Sequence, residues 1–259
     1  MEFNNINIRY REKGKGKTIV LLHGYLESLD VWEDFSNELS KNFRVISIDL
    51  LGHGQSGIYD ETHTMEIMAE FVNFILNKLN VDKCFLVGHS MGGYVTLAFA
   101  DKYPEKLISF SLFHSSPFAD NDEKMANRKR EIELIKQGKK QQLININIPK
   151  TFADSNLNLF KNEIEKNKSI AANTPDNGII ATLKGMALRT DKQHVLKNSK
   201  VPILLIIGKK DNYIPFEVGI KIAGISNSIK PVVFENSGHM GFIEEKDKAV
   251  KIISEFVNS

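Results

Sequence analysis

A Gly-x-Ser-x-Gly sequence lies where a short apolar run passes into a helix-forming stretch, at Gly88, Ser90 and Gly92. A serine between a strand and a helix sits on a sharp turn, and glycine two residues to either side removes the Cβ atoms that would collide there. Such a turn exposes the Ser90 hydroxyl and points the backbone N–H of Met91, at the helix start, into the same space. The context predicts a nucleophile rather than an incidental turn serine.

Apolar runs typical of strands covered on both faces alternate with amphipathic stretches on either side of this turn. This alternation predicts an α/β fold, with a mostly parallel central sheet flanked by helices. A half-exposed antiparallel edge strand is predicted over residues 3–12. The other predicted strands are 18–22, 44–49, 107–113, 201–207, 231–234 and the run from Cys84 to the turn; the predicted helices are 31–40, 65–79, 91–103, 216–223 and 246–257.

The alternation fails between residues 118 and 197, where the sequence predicts several lysine- and asparagine-rich helices, such as 123–137 and 156–167, and no strand. We therefore expect a core domain formed by 1–117 and 198–259, with a helical cap at 118–197. Helical spacing predicts that the cap turns an apolar face towards the crevice of the core. That face would include Ile132, Ile135, Leu157 and Phe160.

The predicted cap begins with a basic run that could suggest nucleic-acid binding. Glu123, Glu131 and Glu133 are interleaved with the basic residues, and no aromatic residue lies between them for base stacking. We therefore interpret the run as a solvated helix face. Its basic members are Lys124, Arg128, Lys129, Arg130, Lys136, Lys139 and Lys140.

A serine hydroxyl needs a general base, which must itself be oriented by a third group. The carboxyl ends of parallel strands open onto one crevice, so these partners are expected directly after strands. Asp211 and His239 fit, and the chain order Ser90, Asp211, His239 is the order that a strand–turn–helix serine nucleophile uses. Asp120 and Asp122 are the alternative acids, after the strand that ends at Phe113.

A tetrahedral intermediate would also need hydrogen-bond donors for its oxyanion. The backbone N–H groups of Met91 and Tyr25 are the expected donors, with Tyr25 in the loop after the 18–22 strand. His23, in the same loop, is expected to brace the backbone, and His89 is expected to be a packing or hydrogen-bonding neighbour of the nucleophile. The residues expected to line a substrate pocket on the core side are Tyr25, Leu26, Met91, His114 and Phe118.

The composition of the chain limits the classes of molecule that it is expected to bind. Lys plus Arg number 34 and Asp plus Glu 32, a formal charge of +2, so neither nucleic acid nor an anionic membrane is an expected partner. The single cysteine, Cys84, excludes an internal disulfide and a cysteine-based zinc site, and no metal or cofactor motif is present. The N-terminus has no signal-peptide pattern and no apolar run has membrane-spanning length, so the cytoplasm is the expected compartment. Either a monomer or a homodimer is expected.

Four motifs together resemble the α/β-hydrolase superfamily. His23-Gly24-Tyr25 resembles its oxyanion loop, and residues 49–56, Asp-Leu-Leu-Gly-His-Gly-Gln-Ser, resemble its D-x-x-G-H-G-x-S loop. Residues 88–93, Gly-His-Ser-Met-Gly-Gly, resemble its nucleophile turn, and Gly238-His239 its histidine loop. The resemblance spans residues 18 to about 257, except for the variable segment that corresponds to the family's cap.

The resemblance implies a hydrolase fold and a Ser90, Asp211, His239 triad, but it does not identify a substrate. A cofactor-independent hydrolase of small-molecule carboxylic esters is the expected function. The same residues also suit a thioesterase, a lactonase, a hydrolase of the carbon–carbon bond of a β-diketone, or a small-molecule lyase. Serine at position 90 disfavours the branches of the family that use an aspartate nucleophile. A non-enzymatic small-molecule receptor with this fold is the remaining alternative.

Overall fold

A seven-stranded sheet forms the centre of the computed structural model, which describes all 259 residues. The strands are β1 (Glu2–Phe3), β2 (Ile6–Asn7), β3 (Tyr10–Lys13), β4 (Thr18–Leu22), β5 (Arg44–Ile48), β6 (Cys84–His89), β7 (Leu107–Phe113), β8 (Ile203–Gly208) and β9 (Ile229–Phe234). The sheet order is β3-β5-β4-β6-β7-β8-β9, and β1 and β2 form a separate hairpin. Only β3 runs antiparallel to its neighbour, so the predicted mostly parallel α/β sheet is confirmed.

Helices follow most of the strands. They are α1 (Glu33–Leu39), α2 (Met65–Lys78), α3 (Met91–Lys102), α4 (Asp122–Lys136), α5 (Lys140–Lys150), α6 (Lys161–Asn173), α7 (Asp176–Leu188), α8 (Gln193–Asn198), α9 (Phe216–Ala223), α10 (Gly241–Glu244) and α11 (Lys246–Asn258). Short 3₁₀ turns lie at Leu29–Trp32, Pro104–Lys106 and Asp154–Asn156. None of the helices combines the length and the apolar character that crossing a bilayer requires.

The strands at the centre of the sheet are buried along their whole length because helices cover both faces. Every residue of β4, β6 and β8 is buried, as their continuous apolar sequences predict. Cys84, the first residue of β6, is completely buried, and burial raises the pKa of its thiol to about 12. This sheet is the rigid base from which the loops after the strands project.

The prediction of one edge strand over residues 3–12 is wrong. Asn4 and Asn5 both adopt positive φ angles, 49° and 66°, and form a two-residue turn that folds β2 back onto β1. Asparagine tolerates this left-handed conformation, which suits a tight hairpin. The edge strand of the main sheet is therefore only β3, which pairs with β5.

Five helices, α4 to α8, lie between β7 and β8, and we call them the inserted helices. The predicted helix at 123–137 corresponds to α4, whereas the one predicted at 156–167 begins only at Lys161. Asn156 is held instead in the 3₁₀ turn, where its side-chain amide donates to the Asn236 carbonyl and to Glu244 Oε1, both at 2.8 Å. Because these hydrogen bonds hold Asn156 in the turn, helix α6 begins later in the chain than predicted.

Candidate active site

Ser90 occupies the turn between β6 and α3 with a positive φ of 49°, a strained conformation that the surrounding structure must hold. Its N–H donates to the carbonyl of Phe113 at the end of β7, at 3.0 Å. A Cβ atom on Gly88 would lie 2.3 Å from the Gly92 carbonyl oxygen, and one on Gly92 would lie 2.3 Å from the Leu22 carbonyl oxygen. Glycine at both positions therefore permits the turn that brings Ser90 to a cavity of about 210 Å³.

His239 lies in the loop after β9 and lines the same cavity as Ser90. Its Nδ1 is 2.7 Å from Oδ2 of Asp211, which follows β8. The other carboxylate oxygen of Asp211 accepts the backbone N–H groups of Tyr213, at 2.7 Å, and Ile214, at 3.0 Å. The structure thus brings together Ser90, Asp211 and His239 from the ends of three strands.

Burial and charge act in opposite directions on the Asp211–His239 pair. Burial disfavours the Asp211 carboxylate, but the nearby imidazoles outweigh it, and the pKa of Asp211 is well below its usual range. Burial likewise disfavours the imidazolium of His239, but the Asp211 charge outweighs it and raises the pKa of His239 above 6.5. An ionised carboxylate can only accept, so Nδ1 of His239 carries the proton and Nε2 of the neutral ring is free to take one.

Tyr25 and Met91, the expected oxyanion donors, follow β4 and begin α3, respectively. Tyr25 lines the cavity. Met91 is buried, and as the first residue of a helix its N–H has no partner within that helix. The loop that carries Tyr25 is braced by His23, whose Nε2 accepts the Leu50 N–H at 3.0 Å and whose Nδ1 lies 2.7 Å from the Gly24 carbonyl oxygen.

Glu27, which no sequence motif marked, forms a buried polar network with His89, which was expected to be a packing or hydrogen-bonding neighbour of Ser90. Oε2 of Glu27 accepts the Gly24 N–H at 2.6 Å and lies 3.1 Å from Nδ1 of His89. Nε2 of the same ring lies 2.8 Å from the carbonyl oxygen of His239. Burial disfavours the Glu27 carboxylate, but the His89 ring outweighs it and the pKa of Glu27 is lowered. One carboxylate therefore connects the loop after β4, the serine turn and the histidine loop.

Met91, His114 and Phe118 do not line the cavity, contrary to expectation, whereas Tyr25 and Leu26 do. His114 lies beneath the loop after β8, where its Nδ1 accepts the Gly208 N–H at 3.0 Å and is 3.5 Å from Asp211 Oδ2. Burial lowers the pKa of His114 to about 4, so the ring is neutral. Phe118 packs against the hydrophobic core instead, because its carbonyl oxygen is held by the Arg189 guanidinium at 3.0 Å.

The roof of the cavity is formed by inserted helices and is more polar than predicted. Four α4 residues line it, at positions that share one helix face: Lys124, Asn127, Arg128 and Glu131. Most residues of the basic run are exposed, as interpreted, but Lys124 and Arg128 also line the cavity and the Arg128 side chain is only 15% exposed. None of the four apolar residues predicted to face the crevice lines the cavity; α5 and α7 supply Ile148 and Met186 instead.

Asp120, one of the alternative acids, is remote from the histidine network because two guanidinium groups hold it. Its Oδ1 lies 2.6 Å from Nη1 of Arg189, and both of its oxygens accept from Arg128. Burial disfavours the carboxylate, but the two cations outweigh it and lower the pKa of Asp120. Asp122 is exposed in the first turn of α4. Of the candidate acids, only Asp211 contacts His239.

Comparison with known proteins identifies the family to which this fold corresponds. Residues 17–246 match the family model described as alpha/beta hydrolase fold. The chain belongs to this family.

Individual relatives match over nearly the whole chain. The AB hydrolase superfamily protein YisY of Bacillus subtilis (strain 168) is 30% identical over 98% of this chain and 97% of its own length. The 2-hydroxy-6-oxononadienedioate/2-hydroxy-6-oxononatrienedioate hydrolase 1 of Pseudomonas putida is 27% identical over 98% of this chain and 92% of its own. A thermophilic esterase from Thermogutta terrifontis, solved with malate bound, superposes with a TM-score of 0.94 at 30% identity, over 98% of this chain and 93% of that one.

Proposed function

We propose that this member of the hydrolase family cleaves small-molecule carboxylic esters through an acyl-enzyme on Ser90. The observation that carries the proposal is geometric: Ser90 and His239 line one cavity, and Nδ1 of His239 lies 2.7 Å from a carboxylate oxygen of Asp211. The likeness to the Thermogutta terrifontis esterase supports ester hydrolysis over other reactions.

In this proposal Nε2 of His239 takes the Ser90 hydroxyl proton as the serine oxygen attacks the ester carbonyl carbon. The carbonyl π electrons move to oxygen, and the oxyanion is held by the N–H groups of Tyr25 and Met91. When the C–O bond breaks, His239 returns the proton to the departing alcohol. Water then attacks the acyl-enzyme with the same proton transfers and releases the acid and free Ser90. Asp211 orients His239 and stabilises its imidazolium.

We also propose that residues 118–197 act as a cap over a core formed by 1–117 and 198–259. The supporting observation is that the three proposed catalytic side chains follow strands of the central sheet, whereas the inserted helices line the opposite side of the cavity. Substrate choice would then lie mainly in the inserted helices, with Tyr25 and Leu26 contacting the substrate from the core side.

The second candidate is a different bond cleaved by the same residues. The Pseudomonas putida relative is named for the hydrolysis of 2-hydroxy-6-oxononadienedioate, which favours a carbon–carbon bond hydrolase as the first alternative to an esterase. Thioester or lactone hydrolysis would need no change in the roles of Ser90, His239 and Asp211.

The test joins covalent labelling to a substrate panel. A fluorophosphonate probe should add once to the wild type and not to Ser90→Ala, as read by intact-mass analysis. The panel contains p-nitrophenyl esters from acetate upward, with a thioester, a lactone and a β-diketone alongside. Turnover of the esters, lost by about 10⁴- to 10⁶-fold in Ser90→Ala, supports the proposal. Turnover of the diketone alone would move the assignment to carbon–carbon hydrolysis, and labelled protein without turnover of any substrate would favour a receptor.

A further inference from the structure

The polar face of α4 is unusual for the roof of a cavity that would hold only alkyl chains. Lys124, Arg128 and Glu131 follow one another at about one helical turn, so all three side chains point the same way. They line the cavity together with Ser90 and His239. Most small-molecule pockets are apolar with a few placed polar groups, and such groups usually fix the orientation of a ligand.

Two cations, Lys124 and Arg128, and two carboxylates, Glu27 and Glu131, line the cavity. Asp120 is shared between Arg128 and Arg189, whose side chains are 15% and 6% exposed. Lys124 lies at the exposed rim of the cavity. Both oxygens of Glu131 are occupied, since they accept from the Tyr25 hydroxyl and the Asn147 amide, each at 3.1 Å. Both cavity carboxylates are therefore occupied by groups of the protein, Glu27 by Gly24 and His89 and Glu131 by Tyr25 and Asn147. Arg128 and Lys124 are the cations of the cavity that can meet an anionic ligand.

On the cavity face of α4, Arg128 has N–H donors that no strong acceptor of the protein occupies. Its Nε and Nη2 donate to Asp120, which fixes the plane of the guanidinium. The remaining nitrogen, Nη1, has only the Met186 sulfur as a partner, at 3.3 Å. A thioether is a weak acceptor, so a ligand oxygen would be a better partner for Nη1. A guanidinium already held by Asp120 would lose little freedom when it bound such a ligand.

We propose that Arg128 and Lys124 form a carboxylate-binding subsite, so that the favoured substrates are short esters with a free carboxylate at the end remote from the reacting carbonyl. The inference rests on the proposed ester hydrolysis and adds the chemical class of the substrate. The reacting carbonyl would lie beside Tyr25 and Ser90, near Glu131. Arg128 lies three residues before Glu131 on α4 and Lys124 seven, about 5 and 10 Å along the helix axis. A substrate in which a few carbon atoms separate the carboxylate from the ester would span that distance along the helix.

The test compares two substrates of matched shape, monoethyl succinate, which is an anion, and ethyl levulinate, in which an acetyl group replaces the carboxylate. Acid release is followed in a pH-stat. We expect the wild type to prefer the anion by at least tenfold in kcat/KM. In Arg128→Gln this ratio should fall by about 10- to 100-fold, the scale of one charge-assisted hydrogen bond. Lys124→Met should lower the ratio less, because its ammonium is exposed and screened.

Lys129→Met and Arg130→Gln are matched controls, because both are exposed residues of α4 that do not line the cavity. They should leave the ratio unchanged. Equal use of both esters by the wild type, or an equal loss of both in Arg128→Gln, would overturn the subsite and leave ester hydrolysis standing.

Failure of the wild type to hydrolyse either ester would instead contradict the proposed function. The subsite would then be tested by calorimetric titration of Ser90→Ala with succinate. Succinate binding to Ser90→Ala that is lost in the double variant with Arg128→Gln supports the subsite. Absence of succinate binding to Ser90→Ala overturns it.

Discussion

Asp211 is the carboxylate on which the orientation of His239 depends, since it is the only acid that contacts that ring. Asp211→Asn keeps the shape of the side chain, but its amide can donate to Nδ1 and so favours the wrong tautomer. We expect kcat for an ester to fall by about 10⁴-fold, with the fold intact by circular dichroism. Asp120→Asn and Asp122→Asn are the controls. A collapse of activity in either of them, with near-normal rates in Asp211→Asn, would show that the acid follows another strand.

The pH dependence of kcat/KM depends on the protonation of His239 and therefore on its interaction with Asp211. His239 must be neutral to accept the Ser90 proton, so activity should rise with pH through the pKa of its ring. Because Asp211 raises that pKa above 6.5, the half-maximal point of the acid limb is expected above pH 6.5. In Asp211→Asn the main group that raises the pKa is lost, and the residual activity should show an acid limb at lower pH. An acid limb that does not move would contradict the coupling.

Glu27 is expected to position the site rather than to react. Glu27→Gln keeps the acceptor for Gly24 but removes the charge that faces His89. Because Oε2 of Glu27 is a buried charged acceptor that faces both Gly24 and His89, its neutralisation should lower the free energy of unfolding by about 1 to 3 kcal/mol and reduce kcat more than it raises KM. Thermal melting and steady-state kinetics check both effects. Glu133→Gln, at an exposed position on α4, is the control; identical melting of the two variants would mean that the Glu27–His89 pair adds no stability.

At the residue scale, the site residues that could be predicted are those marked by the sequence immediately around them. Glycine spacing and positions directly after strands locate Ser90, Asp211 and His239, because the turn and the strand ends are encoded by neighbouring residues. Glu27 and Arg128 have no such local mark. Each has a near partner, Gly24 for Glu27 and Asp120 for Arg128. Each also has a distant one, 62 residues away at His89 and 58 residues away at Met186. Only the tertiary fold brings the distant partners together.

At the scale of single elements, α4 shows why helical periodicity failed to identify the cavity face. Its apolar residues Ile132 and Ile135 pack into the hydrophobic core, and a charged face lines the cavity. Interleaved charges are usual for a solvated helix surface, so the sequence does not distinguish that surface from a polar roof. Phe160, expected on the same face, stacks on Phe152 at 6.1 Å between ring centroids.

Substitutions of two isoleucines in adjacent inserted helices should distinguish an effect on substrate selectivity from an effect on stability. Ile148 of α5 lines the cavity, whereas Ile135 of α4 does not, and both side chains are buried. Ile148→Ala should change the preference between short and long acyl chains by a few-fold to about 100-fold in kcat/KM, the scale of one or two methylenes in a pocket. Ile135→Ala should lower the melting temperature and leave that preference unchanged. An equal loss for every ester in Ile148→Ala would mean that acyl chains do not reach α5.

At the scale of the whole molecule, the fold was accessible to sequence reasoning because buried parallel strands have continuous apolar sequences. The seven-stranded order could not be read from the chain, since it depends on which strands pair. The hairpin of β1 and β2 was missed because the alternation from Ile6 to Tyr10 was extended back to Phe3, although its phase shifts at Asn4 and Asn5. The turn there depends on the left-handed backbone of these two residues.

Helix α7 makes one of the close contacts between the inserted helices and the rest of the molecule. A Cβ atom on Gly185 would lie 1.7 Å from the His63 carbonyl oxygen, and His63 donates its N–H to the Ala181 carbonyl at 3.0 Å. Gly185→Ala should therefore force α7 away from the core and lower the free energy of unfolding by about 3 kcal/mol or more. Gly224→Ala, where the nearest atom would be 3.6 Å away, is the matched control in thermal melting. Equal melting temperatures would show that α7 rests only loosely on the core.

The completely buried Cys84 makes this protein convenient for spectroscopy. Alkylating reagents react with the thiolate, and a thiol with a pKa of about 12 inside the sheet offers almost none of it near neutral pH. Towards a maleimide dye the native chain therefore behaves as though it had no cysteine. One new thiol on the exposed side of α4, for instance in Lys129→Cys, would carry a single fluorophore directly above the cavity. Movement of the roof during turnover could then be followed without first deleting a native residue.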